Sequence, residues 1–218
     1  MPPPDPSTPA WRARERRARR ADLLAAARAV FAERGYHAAT VEEIASRAEI
    51  GKGTVYLQFP GGKGELLDAV LHDHLVSLRT IVMQCFVEGE GAARFRFWSL
   101  ALAVASYFRD RPDLLVVHSL EVPRLLLDPE VGAVASRVEH LAGEFLDLVV
   151  PTLEAAGGTG ALPTRLAAYH LLVTLFGALT ALGLHPEARD LAGDASPPEL
   201  ADALTTLAFD GIRLGPAP

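Results

Sequence analysis

The sequence predicts an all-α fold, with a three-helix unit at the N-terminus and a larger helical domain behind it. Three observations carry this expectation. Apolar residues recur at i, i+3, i+4 and i+7 along most of the 218 residues, and no segment alternates like a strand. Helix start and stop signals lie at the ends of these apolar stripes. Near the N-terminus, two short helical segments joined by a tight turn follow a longer one, which is the helix-turn-helix plan.

The first helix, Arg14–Arg34, carries Leu23, Ala27, Val30 and Phe31 on one face and is expected to stop at Gly35, which tolerates a positive φ. Thr40-Val41-Glu42-Glu43 reads as a capping box, so a second helix runs from Thr40 to Ala48 with Ile44, Ala45 and Ala48 inward. The turn Glu49-Ile50-Gly51 leads to a short helix, Lys52–Tyr56 running on to Phe59, closed by Pro60-Gly61-Gly62. The fourth helix has the clearest pattern, from Leu66, Leu67 and Val70 to Val82 and Cys85, and ends at Gly89-Glu90-Gly91. Further helices are expected over Ala92–Arg109, Pro112–Leu127, Pro129–Ala156, Pro163–Leu184 and Pro198–Leu214. Pro123 and Pro151 should kink or break two of them. Gly157–Gly160 reads as a linker, and a Pro/Gly/Asp-rich loop joins the last two helices.

Half of the residues are hydrophobic, enough to bury a real core. A single cysteine, Cys85, excludes an internal disulfide and a multi-cysteine zinc site, and suits a reducing cytoplasm. Met1–Pro9 is proline-rich and lacks the apolar core of a secretory signal. Leu166–Pro186 holds no Asp, Glu, Lys or Arg and is long enough to span a bilayer. Its Tyr169, His170, Thr174, Thr180 and His185, and the lack of flanking basic clusters, read instead as a buried interface helix, with no membrane partner.

A formal net charge of −6 argues against nucleic acid as a partner, but the charge is uneven. Residues 10–75 hold eleven basic against nine acidic side chains, and residues 76–218 hold ten against seventeen. Arg12–Arg20 packs six arginines against Glu15. Such a run is often a solvated tail. Ahead of a well-patterned helical unit it also suits a nucleic-acid arm, with residues 1–13 a disordered basic and Pro-rich extension.

The surface chemistry of the third helix suits DNA. Lys52 offers a charge to a phosphate or guanine edge, Gly53 lets backbone approach a groove, and Thr54 offers a hydroxyl or methyl to a base. Tyr56 and Gln58 are donors of intermediate reach, and Lys63 adds charge at the start of the next helix. Val55 and Phe59 fall between these positions and should face the core.

Asp22–Val70 resembles the DNA-binding domain of the TetR/AcrR family of transcriptional repressors. The resemblance rests on Phe31, Arg34-Gly35-Tyr36, Ala39-Thr40, Ile44-Ala45, Ala48, Lys52-Gly53-Thr54-Val55-Tyr56, Phe59-Pro60 and Leu66-Leu67 in that order. It implies an N-terminal helix-turn-helix DNA-binding domain, residues 14–75, and a helical ligand-binding and dimerisation domain, residues 76–218. It implies a homodimer on a double-stranded operator, released by a small molecule. Carried over onto this chain, the DNA contacts fall on Thr40, Lys52, Gly53, Thr54, Tyr56, Gln58 and Lys63. The chain departs from the family pattern in three places. Glu49 stands at the turn glycine, Gly51 stands where a serine often caps the third helix, and Pro60–Glu65 is one residue longer. Tyr36 is expected in the core.

The second domain has no phosphate-binding loop, nucleophile elbow or zinc-protease motif, so neither an enzyme nor a cofactor is expected. His118 with Glu121, and His140 with Glu144, have metal-ligand spacing but read as ordinary helix pairs. Trp98, Tyr107, Phe108, His118, His140, Phe145 and Tyr169 are candidates for lining an effector cavity. The scarcity of charge in these helices points to a hydrophobic effector. For the dimer, Leu166–Leu184 and the last helix are expected to pair with their copies as a four-helix bundle. Leu175, Gly177, Ala178, Ala181, Leu204, Leu207 and Gly211 would lie at that interface. The competing readings are a helical-bundle enzyme or lipid-binding protein without DNA binding, and an adaptor that docks another protein on its last helices.

Overall fold

All regular structure among the described residues is helical, as the 3.6-residue periodicity requires. The computed structural model describes residues 9–126, 132–157, 162–192 and 194–211, and the chain parts into two compact units between Asp73 and His74.

In the first unit, helix α1 (Pro9–Ala38) buries Leu23, Ala26, Ala27, Val30 and Phe31. It starts five residues earlier than Arg14. Pro9 suits a first helical position, the alanines and arginines that follow are good helix formers, and the pair Glu15–Arg19 adds an i,i+4 contact. The arginine run is therefore helical from its first member, which corrects a disordered reading of residues 9–13; Met1–Thr8 lie outside the described residues. Gly35, at φ 74°, interrupts the helix where a glycine stop was expected.

Helix α2 (Val41–Arg47) carries the expected capping box. Thr40 Oγ1 accepts from the Glu43 N–H at 3.2 Å, and Glu43 accepts from the Thr40 N–H at 3.1 Å. Arg47 clamps α2 to α1 by a two-pronged pair with Glu33 at 2.7 and 2.8 Å, which holds the Glu33 carboxyl below the usual range. The turn then passes through Glu49, at φ 54°, a left-handed backbone that costs a non-glycine on the order of 1 kcal/mol. Helix α3 (Lys52–Gln58) starts at Gly51 with no side-chain cap, and buries Val55 and Phe59 as expected.

Helix α4 (Gly62–Phe86) runs past the division into the second unit. Then follow α5 (Ala93–Arg109), α6 (Pro112–Val116), a π-helical turn (Val117–Glu121), α7 (Val122–Leu126), α8 (Gly132–Ala155), α9 (Thr164–Leu184), α10 (Pro186–Ala192) and α11 (Pro197–Asp210). Helix α11 packs along α5, and α8 packs against α7 and α9. Leu78, Val82, Phe97, Leu100, Val104, Val149 and Leu175 are buried in this unit.

Four differences from expectation have local causes. Before Pro123 the chain takes a π turn, with the Val122 N–H bonded to the Val117 carbonyl five residues back. Helix α8 continues through Pro151, whose exposed position leaves the freed carbonyl to water. The loop after Leu184 contains α10, because Pro186 acts as a first helical residue rather than a breaker. The last helix stops at Asp210, and Gly211 at φ 71° caps it instead of lying on its face. Leu127, Pro129, the linker residues Gly158–Gly160, and Leu214 lie outside the described residues.

Candidate functional site

The short length of α3 lets its two faces separate cleanly. Val55 and Phe59 anchor it, and Lys52, Gly53, Tyr56 and Leu57 are exposed, with Thr54 and Gln58 half-buried. Lys52 is ion-paired to Glu42 on α2 and lies 5.8 Å from the Tyr56 ring. A Cβ added to Gly53 would meet nothing within 4 Å. No neighbour in this fold demands a glycine there, although glycine costs a helix interior roughly 1 kcal/mol relative to alanine. Leu57 is 84% exposed, the largest exposure among the large apolar side chains described. Sequence periodicity missed it, because an apolar residue next to Val55 and Phe59 reads as core.

Thr40 spends its hydroxyl on the α2 cap and remains exposed. Lys63 is engaged: its Nζ donates to the His37 carbonyl at 3.0 Å and sits 4.7 Å over the Tyr36 ring. Tyr36 packs on Phe31, as a core aromatic should. Arg12, Arg14, Arg16, Arg17, Arg19 and Arg20 are all exposed on α1. The Arg20 guanidinium lies 4.4 Å over the Phe59 ring, so the arginine run adjoins the end of α3.

In the second unit, a cavity of about 430 Å³ is lined by Leu75, His118, Val138, Glu139, Ala142, Gly143, Phe145, Leu146, Tyr169, Leu172, Val173 and Phe176. His118 belongs to the π turn, which a bond between Ser119 and Thr180 (2.8 Å) ties to α9. Behind His118, its Nδ1 lies 3.1 Å from His74 Nε2, and His74 Nδ1 lies 3.0 Å from the Tyr107 hydroxyl. Phe108 and Phe176 flank the His118 ring at 5.7 and 4.9 Å between centroids. Burial pushes the His118 imidazole down to about 4, so it is neutral at pH 7.

Of the candidate lining residues, His118, Phe145 and Tyr169 border this cavity, and Tyr107 and Phe108 back it. Trp98 does not. Its indole donates to Asp202 at 2.7 Å and stacks on Phe95 in a separate shallow cleft. His140 does not either, being exposed and 3.4 Å from Glu144. Helical phase explains this, since Val138, Ala142 and Phe145, at i, i+4 and i+7, border the cavity while His140 lies off that face. His74 and Phe176 were missed because each sits in a stripe that reads as plain core. No group of three or more His, Cys, Asp or Glu among the described residues could hold a metal ion.

The candidate interface residues divide. Leu175 is fully buried within its own chain and Leu204 nearly so, because α9 and α11 turn these residues inward. Both are therefore corrected to core positions. Gly177 is exposed with open space around it, Ala178 and Ala181 are partly exposed, and Leu207 is exposed. With Leu166, Tyr169 and Val173, Gly177 makes an exposed apolar stripe along α9, and Leu207 is exposed separately on α11. Helix α9 is long and apolar enough to cross a membrane by length and composition, with a mean hydropathy of 1.7, and only 22% of that window is buried.

Residues 23–70 match the family model for bacterial regulatory proteins of the tetR family. The chain is 34% identical over 158 residues to the HTH-type transcriptional repressor Rv3405c of Mycobacterium tuberculosis, covering 72% of this chain and 70% of that one. It is 48% identical over 66 residues to the HTH-type transcriptional activator FasR of Mycolicibacterium smegmatis, a match spanning 30% of each. The crystal structure of the transcriptional regulator FadR from Bacillus subtilis, in complex with stearoyl-CoA, shares the fold with a TM-score of 0.72 at 20% identity. That likeness covers 88% of this chain and 99% of FadR. With a third helix that presents polar groups outward from an apolar anchor, and with a relative matched over two thirds of its length, the chain belongs to the TetR family of bacterial regulatory proteins, DNA-binding transcriptional regulators of the helix-turn-helix type.

Proposed function

We propose that this ligand-responsive, DNA-binding transcriptional regulator is a cytoplasmic repressor, released from a palindromic operator by a small hydrophobic molecule. The observation that carries the reading is the outward face of α3. Lys52, Gly53, Thr54, Tyr56 and Leu57 stand clear of the fold that Val55 and Phe59 anchor, and Gly53 has no neighbour that demands a glycine. In this reading Lys52 and Thr54 reach base edges, Leu57 meets a thymine methyl or sugar, and Thr40, Tyr56, Gln58 and Lys63 contact the backbone. The reader is residues 14–75, and residues 76–218 bind the effector and dimerise.

A repressor role is supported by Rv3405c, a transcriptional repressor matched over most of its length. A hydrophobic effector is supported by the apolar walls of the His118 cavity, whose volume falls in the range of small-molecule sites. FadR was crystallised with stearoyl-CoA, an apolar chain on a polar carrier. A homodimer through α9 and α11 would cover the stripe around Val173 and Gly177 and the exposed Leu207, apolar surface that a lone soluble chain would leave wet. The protein is read as having no catalytic activity.

The test is a shift titration on the DNA flanking its own gene at several salt concentrations. Sequence-dependent binding with a steep salt slope is expected. Equal, weak binding to this and to unrelated DNA would refute the reading of an operator beside the gene.

A further inference from the structure

We infer that the effector is an uncharged apolar molecule with one hydroxyl or carbonyl group, and that it docks this group on His118 Nε2. The inference rests on the reading of the His118 cavity as the effector site. The walls are aliphatic and aromatic, and among the described lining side chains only His118, Glu139 and Tyr169 carry polar atoms. No lysine or arginine is among them, and Glu139 repels an anion.

The arrangement behind His118 sets what Nε2 can do. A bond between two imidazole nitrogens needs one N–H and one lone pair, so the His118 and His74 tautomers are matched. In one arrangement the Tyr107 hydroxyl donates to His74 Nδ1, His74 Nε2–H donates to His118 Nδ1, and His118 Nε2–H is left to donate. In the other, His118 Nδ1–H donates to His74 Nε2, His74 Nδ1–H donates to the Tyr107 oxygen, and His118 Nε2 is left to accept. A hydroxyl satisfies either arrangement and a carbonyl satisfies the first. A carboxylate would enter beside Glu139 with no cation to meet it. Burial keeps His118 neutral near pH 7, which removes the remaining attraction for an anion.

Three probes of one shape separate these cases: 2-naphthol, naphthalene and 2-naphthoate, titrated into the full-length protein by equilibrium dialysis. The expected result is saturable binding, with 2-naphthol about tenfold tighter than naphthalene and more than tenfold tighter than 2-naphthoate. His118→Leu should bring 2-naphthol down to the affinity of naphthalene, and retained naphthalene binding shows that the variant is folded. In nitrogen-15 spectra of histidine-labelled wild type, the His118 Nε2 signal should move with 2-naphthol and stay put with naphthalene. If His118→Leu does not fold, this spectrum decides. Equal affinity for 2-naphthol and naphthalene, strongest binding of 2-naphthoate, or an unmoved Nε2 signal overturns the inference and leaves the cavity as an effector site. Failure of all three probes to saturate overturns the cavity reading as well.

Discussion

Lys52 on α3 and Glu42 on α2 form an ion pair across the turn that joins the two helices. The pair holds the Glu42 carboxyl below its usual range and lifts the Lys52 ammonium above its own, each chiefly through the hydrogen bond between them. Both side chains are well exposed, so the pair adds little stability and mainly positions Lys52. In the proposed complex, a phosphate or guanine would compete with Glu42 for that lysine. Glu42→Gln should therefore tighten DNA binding about two- to tenfold at low salt, with an unchanged melting temperature. Lys52→Ala should weaken binding by about 1–3 kcal/mol. Anisotropy titrations check both, and indifference of both variants would remove α3 from the interface.

Lys63 serves the fold, and in the proposed reading it also contacts the DNA backbone. Its ammonium closes the end of α1 on the His37 carbonyl and the Tyr36 ring. Lys63→Ala should lower reader stability by roughly 0.5–1.5 kcal/mol. It should also weaken binding to all sequences alike and lower the salt slope by about 1. A loss of stability with an unchanged slope would leave Lys63 a purely structural residue.

The six exposed arginines of the Arg12–Arg20 run precede Leu23, the first buried residue of α1. Removing residues 1–17 keeps Arg20 on Phe59 and should leave the melting temperature nearly unchanged. DNA affinity and its salt dependence should both fall. Identical titration curves with and without the segment would make the run a solvated end of α1.

Position on α9 separates association from folding. Leu166→Arg and Leu207→Arg place charge on exposed apolar positions of α9 and α11, and should give a folded monomer or a weakened dimer that no longer binds the operator. Leu175→Arg buries the charge inside one chain, and should cost folding itself, about 3 kcal/mol or more. Light scattering with circular dichroism distinguishes the two. A soluble monomer for the unmodified protein would contradict the dimer, and sedimentation with membranes would favour a spanning α9.

Burial places the folded-state His118 value at about 4, below the ordinary histidine value. A depressed histidine contributes stability that is present above the unfolded value and is lost as pH falls toward the folded one. Between about pH 6.5 and 4 the unfolded chain takes up a proton that the folded chain refuses, which costs on the order of 3 kcal/mol. Urea melts of wild type and His118→Gln should converge over that window. Parallel curves would mean that the imidazole is not held neutral.

The reader was legible in the sequence because its signals are local. The capping box at Thr40, the stop at Gly35 and the outward phase of Lys52 and Tyr56 depend on residues within one or two turns. The His118 cavity was less legible because it depends on long-range packing. His74 and His118 meet across 44 residues, and nothing local distinguishes His74 from its neighbours on the α4 stripe. Leu175 and Val173 are equally apolar and two residues apart, yet one is core and the other exposed. Only the rotation of α9 against α8 and α6 separates them.

Selection of sites from a random duplex pool by the purified protein tests operator reading by α3 most directly. The expected result is enrichment of a two-fold symmetric sequence whose half-sites lie about one helical turn, roughly 34–36 Å, or a multiple of it apart, with enrichment lost in Lys52→Ala. No enrichment over the starting pool, or the same enrichment with Lys52→Ala, would contradict it.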